Sequence, residues 1–272
     1  LFGILIFLAI WAFTLDGAMA GYAEYLRPSV AELLNPRILS QAAGQAFYSL
    51  SLGMGCMLTF SSYLSDKTDM GRESVTIAAS DFGVAFIAGL VVFPVIYALG
   101  IQGDVSESTV GALFIALPGA FVEMGAVGRV VGILFFIALI VGAVTSAVSL
   151  LEVVTASVID EFKLPRKPAS VAGGVLIAIM GLIPASSLDI LGVVDKLAEG
   201  MLALGAFFMA IFVGWVAVGA ADEMRKGAGK RSERWIPLVM TAVRFVLPPM
   251  ILFATVYAFM AVVTEYKAAF GG

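Results

Sequence analysis

Asp81 is the only charge in an apolar run that extends from Val75 to Leu99. A carboxylate at that depth costs about 2.5–3.5 kcal/mol on insertion scales, and an acid kept there is functional by default. The chemistry it offers is binding of a cation or a proton; the plainer use is as a structural partner for another helix. A second group lies in the run Arg129–Ile159, where Thr145, Ser149 and Glu152 follow i, i+4, i+7 and share one helix face, with Ser146 beside them. Serine and threonine in apolar helices commonly bond a carbonyl one turn back. A stripe of four polar groups that ends in a carboxylate also offers hard oxygen ligands suited to an alkali cation. The third group is Gln45–Tyr63, QAFYSLSLGMGCMLTFSSY, an apolar helical pattern interrupted by Ser51-Leu52-Gly53-Met54-Gly55. A bilayer has no water to satisfy a freed backbone, so such a break survives only where it lines a protein cavity. There it presents bare carbonyls to a cation and bare N–H groups to a carboxylate. Gln45 and Ser49 stand one turn apart just ahead of it, and Tyr48, Met54 and Leu150 are candidate walls of the same pocket.

The elements that position these groups are apolar spans. The chain has 272 residues, is 61% hydrophobic and only 13% charged, and its mean hydropathy is +1.02. A soluble domain carries about twice that charge, so an all-α, multi-pass membrane protein follows. Spans of roughly 20 residues are needed to cross. They are expected at 1–13, 42–63, 75–99, 129–159, 171–183, 197–220 and 236–263, in a single transmembrane domain. Between them, residues 14–40 read as a polar loop with a short amphipathic piece at Val30–Leu34. Residues 100–128 read as a loop holding a short apolar piece, Leu113–Val122, broken by Pro118. Residues 185–194 read as a loop, and Pro248 and Pro249 as a kink in the last span. Trp11, Trp215 and Trp235 lie near span ends and read as interfacial anchors. Leu1–Phe13 is shorter than a full span, so the chain is expected to begin inside a helix whose start is missing.

Charge orients the spans. Lys67, Arg72, Lys163, Arg166, Lys167 and the basic residues from Arg225 to Arg234 share one side; Arg27, Arg37, Arg129, Lys196 and Lys267 share the other. The first set is about twice the second and is expected to face the cytoplasm. A net charge of −4 argues against nucleic acid as a partner. The absence of histidine removes triads, imidazole metal sites and imidazole relays, and with one cysteine, Cys56, no disulfide or thiolate cluster can form within the chain. An intramembrane protease lacks its Ser–His pair, and Asp81 has no evident mate for a di-aspartyl site. The expectation is that the protein is not an enzyme.

The segment QAFYSLSLGMG…SSY resembles the sixth transmembrane helix of the neurotransmitter:sodium symporter family. GAVTSAVSLLEVVTASVIDEF resembles its eighth, and Asp81 falls where the seventh supplies a sodium ligand. The resemblance implies an inverted-repeat transporter fold of the leucine-transporter type with a discontinuous sixth helix. The chain would run from late in the fifth helix to the eleventh, holding the second repeat and lacking the first four helices of the same protein as partners. It implies two sodium sites: Ser49 and Asp81 in the first; Gly142, Thr145 and Ser146 in the second. Tyr48, Ser51, Met54, Ser149 and Leu150 would line the pocket for an amino-acid substrate. Asp195 would be the outer gate acid, and Asp160, near Tyr63, the inner one. Gln45 and Ser49 match the chloride-site positions. Asp81 departs from the usual Asn or Ser, and Ala85 stands where some chloride-independent members carry an acid. A built-in carboxylate can replace chloride beside a buried cation, so chloride is not expected to be required. The absence of spare charge in the pocket implies a neutral, hydrophobic or aromatic amino acid, carried by sodium symport across the cell membrane by alternating access. A proton-coupled permease of the same architecture and a non-transporting fragment stay open.

Overall fold

A computed structural model describes residues 2–27, 29, 35–100, 114 and 117–270. It is helical wherever it is regular, with no strand among the described residues. In chain order the helices are α1 (Phe2–Ala12), α2 (Ala18–Leu26), α3 (Pro36–Ser49), α4 (Cys56–Ser61), α5 (Met70–Ala98), α6 (Leu117–Glu123), α7 (Gly125–Phe162) and α8 (Arg166–Ala185). They continue as α9 (Leu188–Val216) and α12 (Ile236–Phe270), between which lie the short α10 (Ala220–Arg225) and α11 (Lys230–Glu233). Helices α5, α7, α8, α9 and α12 are each long and apolar enough to cross a membrane.

Several helices exceed the limits read from the sequence, because polar residues extend them beyond the apolar stretch. Helix α5 starts at Met70, where the Asp69 carboxylate receives the Arg72 amide at 3.1 Å and caps the first turn. Helix α9 starts at Leu188, inside the expected loop 185–194, because Ser187 caps the Asp189 amide at 3.2 Å. The expected loop 14–40 contains α2 and the start of α3; Asn35 accepts the Arg37 amide at 3.0 Å, and Pro36 takes the first turn, where its missing N–H costs nothing. Pro118 is the second residue of α6 and so opens a helix where the sequence suggested a break. The amphipathic piece at Val30–Leu34 and residues 101–113 lie outside the described residues.

The chain divides into two compact units, one of residues 1–29 and 79–147 and one of residues 30–78 and 148–272. In the first, Leu8, Val91, Val95, Leu117, Phe121, Val131 and Phe135 form an apolar core. Helix α2 packs on α5 through Gly21, where a Cβ would stand 2.5 Å from the Phe93 carbonyl oxygen. In the second, α3, α9 and α12 pack together around Ala206, Ala210 and Ile251, with Phe47 against them.

The Pro248–Pro249 pair sits within α12, just after a π-helical turn over Ala242–Val246. A proline leaves the carbonyl four residues earlier without its helical donor; here that is Arg244, whose oxygen accepts Trp215 Nε1 at 3.3 Å. Arg244 Nε in turn donates to the Gly214 carbonyl at 2.6 Å, within the matching π turn Phe212–Val216 of α9. Two wide turns are thus bolted together by side chains that satisfy the carbonyls they free.

Candidate functional site

The break is built by a helix ending that the sequence enforces. Leu52 N–H reaches back to the Phe47 carbonyl at 2.8 Å, and Ser51 N–H to the Tyr48 carbonyl at 3.0 Å. This is the Schellman pattern, whose C′ residue adopts the left-handed conformation. Ser51 does so at φ 54°, without the freedom of glycine. Gly53 and Gly55 follow at φ 82° and 83°, so α4 begins only at Cys56. Among the described residues, no backbone-to-backbone bond uses the amides of Gly53, Met54 or Gly55, or the carbonyls of residues 50–53. A short stretch of chain therefore carries acceptors at one end and donors at the other.

Gly53 also meets α9 backbone to backbone. A Cβ there would run into the Leu202 carbonyl oxygen and stand 2.7 Å from the Ala206 amide nitrogen; a Cβ on Gly205 would run into the Gly53 carbonyl oxygen. The two glycines hold the break against a rigid helix. Gly55 is different: its Cβ would meet only Val153 Cγ1, at 3.4 Å. That contact lays the start of α4 against α7, one turn beyond Ser149 and Leu150.

The second unit thus carries all five residues expected in the substrate pocket. Tyr48 lies in the last turn of α3 and is half exposed, Ser51 and Met54 belong to the break, and Ser149 and Leu150 lie on α7. Gln45 and Ser49 are on α3 in the same unit. Asp81, Gly142, Thr145 and Ser146 belong to the first unit. There the Thr145 hydroxyl donates back along its own helix, 3.0 Å from the Val141 carbonyl and 2.8 Å from that of Gly142. Thr145 Oγ1 and the Gly142 carbonyl, two of the expected ligands, are neighbours on one face.

Of the expected gate residues, Tyr63 donates its phenol to Glu152 Oε1 at 2.8 Å. Asp160 lies two turns further along α7, about 12 Å at 1.5 Å per residue, and is exposed. Glu152 Oε2 accepts Arg166 Nη2 at 2.7 Å, so one carboxylate ties the end of the broken helix to α7 and α8. The Glu152 side chain is 16% exposed and that of Arg166 66%. Glu152, read as the end of a ligand stripe, is the centre of a bridge. Asp195 lies 4.0 Å from Lys196 Nζ, which Glu199 holds more closely at 3.1 Å.

Two structural residues escaped the sequence reading. Asp69 accepts the Gly229 amide at 2.9 Å and the Ser232 hydroxyl at 2.7 Å, joining the head of α5 to the segment before α12. These donors, Gly229 first, hold its carboxyl below the usual range. The signal was an aspartate directly ahead of a helical run. Arg244 was signalled by its spacing, four residues before Pro248.

The chain matches the sodium:neurotransmitter symporter family over residues 2–270. It is 34% identical to an uncharacterized sodium-dependent transporter of Methanocaldococcus jannaschii, covering 93% of this chain and 53% of that protein. A sodium-dependent transporter of Haemophilus influenzae, also uncharacterized, is 31% identical, with 93% and 56% covered. The chain spans about half the length of these relatives. The crystal structure of MhsT in complex with L-phenylalanine matches with a TM-score of 0.81 at 35% identity, covering 94% of this chain and 60% of that one. An apolar, multi-pass helical chain, interrupted between α3 and α4 and matched over nearly its whole length, is a member of the sodium:neurotransmitter symporter family.

Proposed function

We propose that this chain supplies the second half of a sodium-coupled symporter for a neutral amino acid, hydrophobic or aromatic, in the cell membrane. One observation carries the reading: among the described residues the carbonyls of residues 50–53 and the amides of residues 53–55 enter no backbone-to-backbone bond, and Gly53 packs this stretch against α9. An amino acid has a carboxylate, which suits the bare amides at the head of α4, where the helix dipole is positive. A sodium ion suits the carbonyls at the tail of α3 and the Ser49 hydroxyl. Tyr48, Ser51, Met54, Ser149 and Leu150 surround the side chain without a charge, and the unbranched Met54 adapts to bulky groups. The relative MhsT, crystallised with L-phenylalanine, supports this class, as does a sodium-dependent nutrient amino acid transporter of Drosophila grimshawi, 30% identical over 63% of this chain.

Asp81 is the fixed charge of the first sodium site and replaces chloride; Gly142, Thr145 and Ser146 form the second. Sodium neutralises Asp81 and completes the pocket, so ion and substrate raise each other's affinity by the same factor. The Tyr63–Glu152–Arg166 bridge closes the cytoplasmic end and breaks when that side opens. Asp195 and Asp160 serve as gate acids toward partners outside these residues. The test is reconstitution of the full-length protein that contains this chain in liposomes with an imposed sodium gradient. Uptake of phenylalanine or leucine that needs sodium and survives replacement of chloride by gluconate is the expected result. Uptake driven by a pH gradient without sodium would assign Asp81 to proton coupling, and preference for glutamate or lysine would refute the pocket.

A further inference from the structure

At the basic end of the second unit, the first turns of α5 and α12, linked through the Asp69 junction, leave a groove of about 810 Å³ between them. This is within the roughly 300–1,000 Å³ of ordinary ligand sites. Its lining is of two kinds: the basic Arg72 and Arg231, and the apolar Val75, Trp235, Ile236 and Val239, which follow them along the two helices.

The charges in this region are not equivalent. Arg225 is paired with Asp222 at 2.6 Å and Lys226 with Glu223 at 2.7 Å. Arg72 and Arg231 have no ion pair among the described residues, although Glu73 and Glu233 are close in sequence. The Asp69 carboxylate also borders the groove, but both of its oxygens are taken, Oδ1 by the Arg72 amide and Oδ2 by Gly229 and Ser232. It holds the two walls together while two guanidinium groups stay available in the groove.

We infer that this groove is a binding site for an anionic glycerophospholipid. Its phosphate sits between Arg72 and Arg231, one acyl chain runs along Val75, Ile236 and Val239, and Trp235 lies at the glycerol level. A guanidinium fork matches phosphate oxygens geometrically. The apolar lining continues into helices that span the bilayer, so a chain attached to that phosphate has a path into the hydrocarbon. A soluble phosphate would leave the apolar lining unused, and a zwitterionic lipid would bring its own cation to the arginines. The place, between membrane-spanning helices on the basic side, is where anionic headgroups concentrate.

The experiment uses the full chain in nanodiscs, with every tryptophan except Trp235 replaced by phenylalanine. Brominated phosphatidylglycerol or brominated phosphatidylcholine, at equal low mole fraction in unlabelled phosphatidylcholine, quenches Trp235 on contact. Each basic residue near such a surface is worth roughly fivefold in binding, so two give a preference for phosphatidylglycerol of about thirty-fold. Arg72→Gln/Arg231→Gln is expected to abolish the preference, and Arg72→Lys/Arg231→Lys to keep most of it. Arg225→Gln/Lys226→Gln, outside the groove, should leave it unchanged. Val239→Phe fills the apolar part with both arginines in place and should weaken it. Equal quenching by the two lipids overturns the proposal, as does a preference that survives the glutamine pair or the Val239 variant. Loss of the preference in millimolar inorganic phosphate at constant ionic strength would show a soluble-phosphate site and also overturn it.

Discussion

Replacing Gly53 with alanine tests whether the break is held by backbone packing. The residue sits at φ 82°, and its Cβ would strike the Leu202 carbonyl oxygen and the Ala206 amide of α9. A left-handed non-glycine residue costs about 1–2 kcal/mol, and forcing an atom into a packed contact costs about 1–3 kcal/mol more. The sum is about 2–5 kcal/mol. Gly55→Ala is the internal control. It has the same backbone conformation, φ 83°, but its nearest neighbour is a side-chain methyl at 3.4 Å, so only the first contribution applies, about 1–2 kcal/mol. Gly44→Ala lies in regular helix with nothing within 4 Å and should be neutral or stabilising by up to about 1 kcal/mol. Cys56, the one cysteine of the chain and 1% exposed, starts α4 and reports on the opening of this region. Its alkylation by a membrane-permeant maleimide proceeds through the opened state. At a tenfold change per 1.4 kcal/mol, alkylation should accelerate by about thirty-fold to several thousand-fold for Gly53→Ala and by about five- to thirty-fold for Gly55→Ala. A Gly53 variant that reacts no faster than the Gly55 variant would refute the packing argument.

Three other outcomes are expected. Glu152→Gln and Arg166→Gln, singly and together, should give a coupling energy of about 1 kcal/mol in a double-mutant cycle on unfolding, because Arg166 is largely solvated; no coupling would remove the bridge from the gate. The Asp69 carboxyl is depressed in the folded state, so its stabilising contribution is present above the ordinary carboxylate value, about 3.9, and is lost as pH falls below it. Thermal midpoints measured from pH 6 downward should converge for the wild-type chain and Asp69→Asn only in that acidic range, and a constant offset at every pH would contradict the assignment. Asp81→Asn should weaken sodium activation of uptake and make it depend on chloride. A carboxylate at about 4 Å contributes roughly 4 kcal/mol at an effective dielectric of 20, so a sodium affinity within tenfold of wild type, without chloride, would exclude Asp81 from the site.

The break was legible before any coordinates. Ser51, Gly53 and Gly55 interrupt an apolar helix at positions where only non-helical backbone makes sense in a bilayer. The lengths of α5, α7 and α12 were legible in part, since apolar composition fixes where a helix must lie in the membrane. Polar residues decide where it ends, so α5 and α9 start earlier than hydropathy indicated, at caps made by Asp69 and Ser187. The partner of Tyr63 was not legible. Asp160 and Glu152 are both acids on α7, and sequence spacing does not tell which one faces the phenol.

Composition, periodicity and the placement of glycines determined that this is a membrane-spanning helical chain with one helix interrupted, because those properties follow from the solvent each residue type tolerates. Tertiary structure alone decided that Gly53 rests on Leu202 and Gly205, that Glu152 joins Tyr63 to Arg166, and that Asp69 fastens α5 to the segment before α12. Each of these joins residues far apart along the chain. Such contacts depend on how helices rotate and cross when packed, and no local pattern of side chains carries that information.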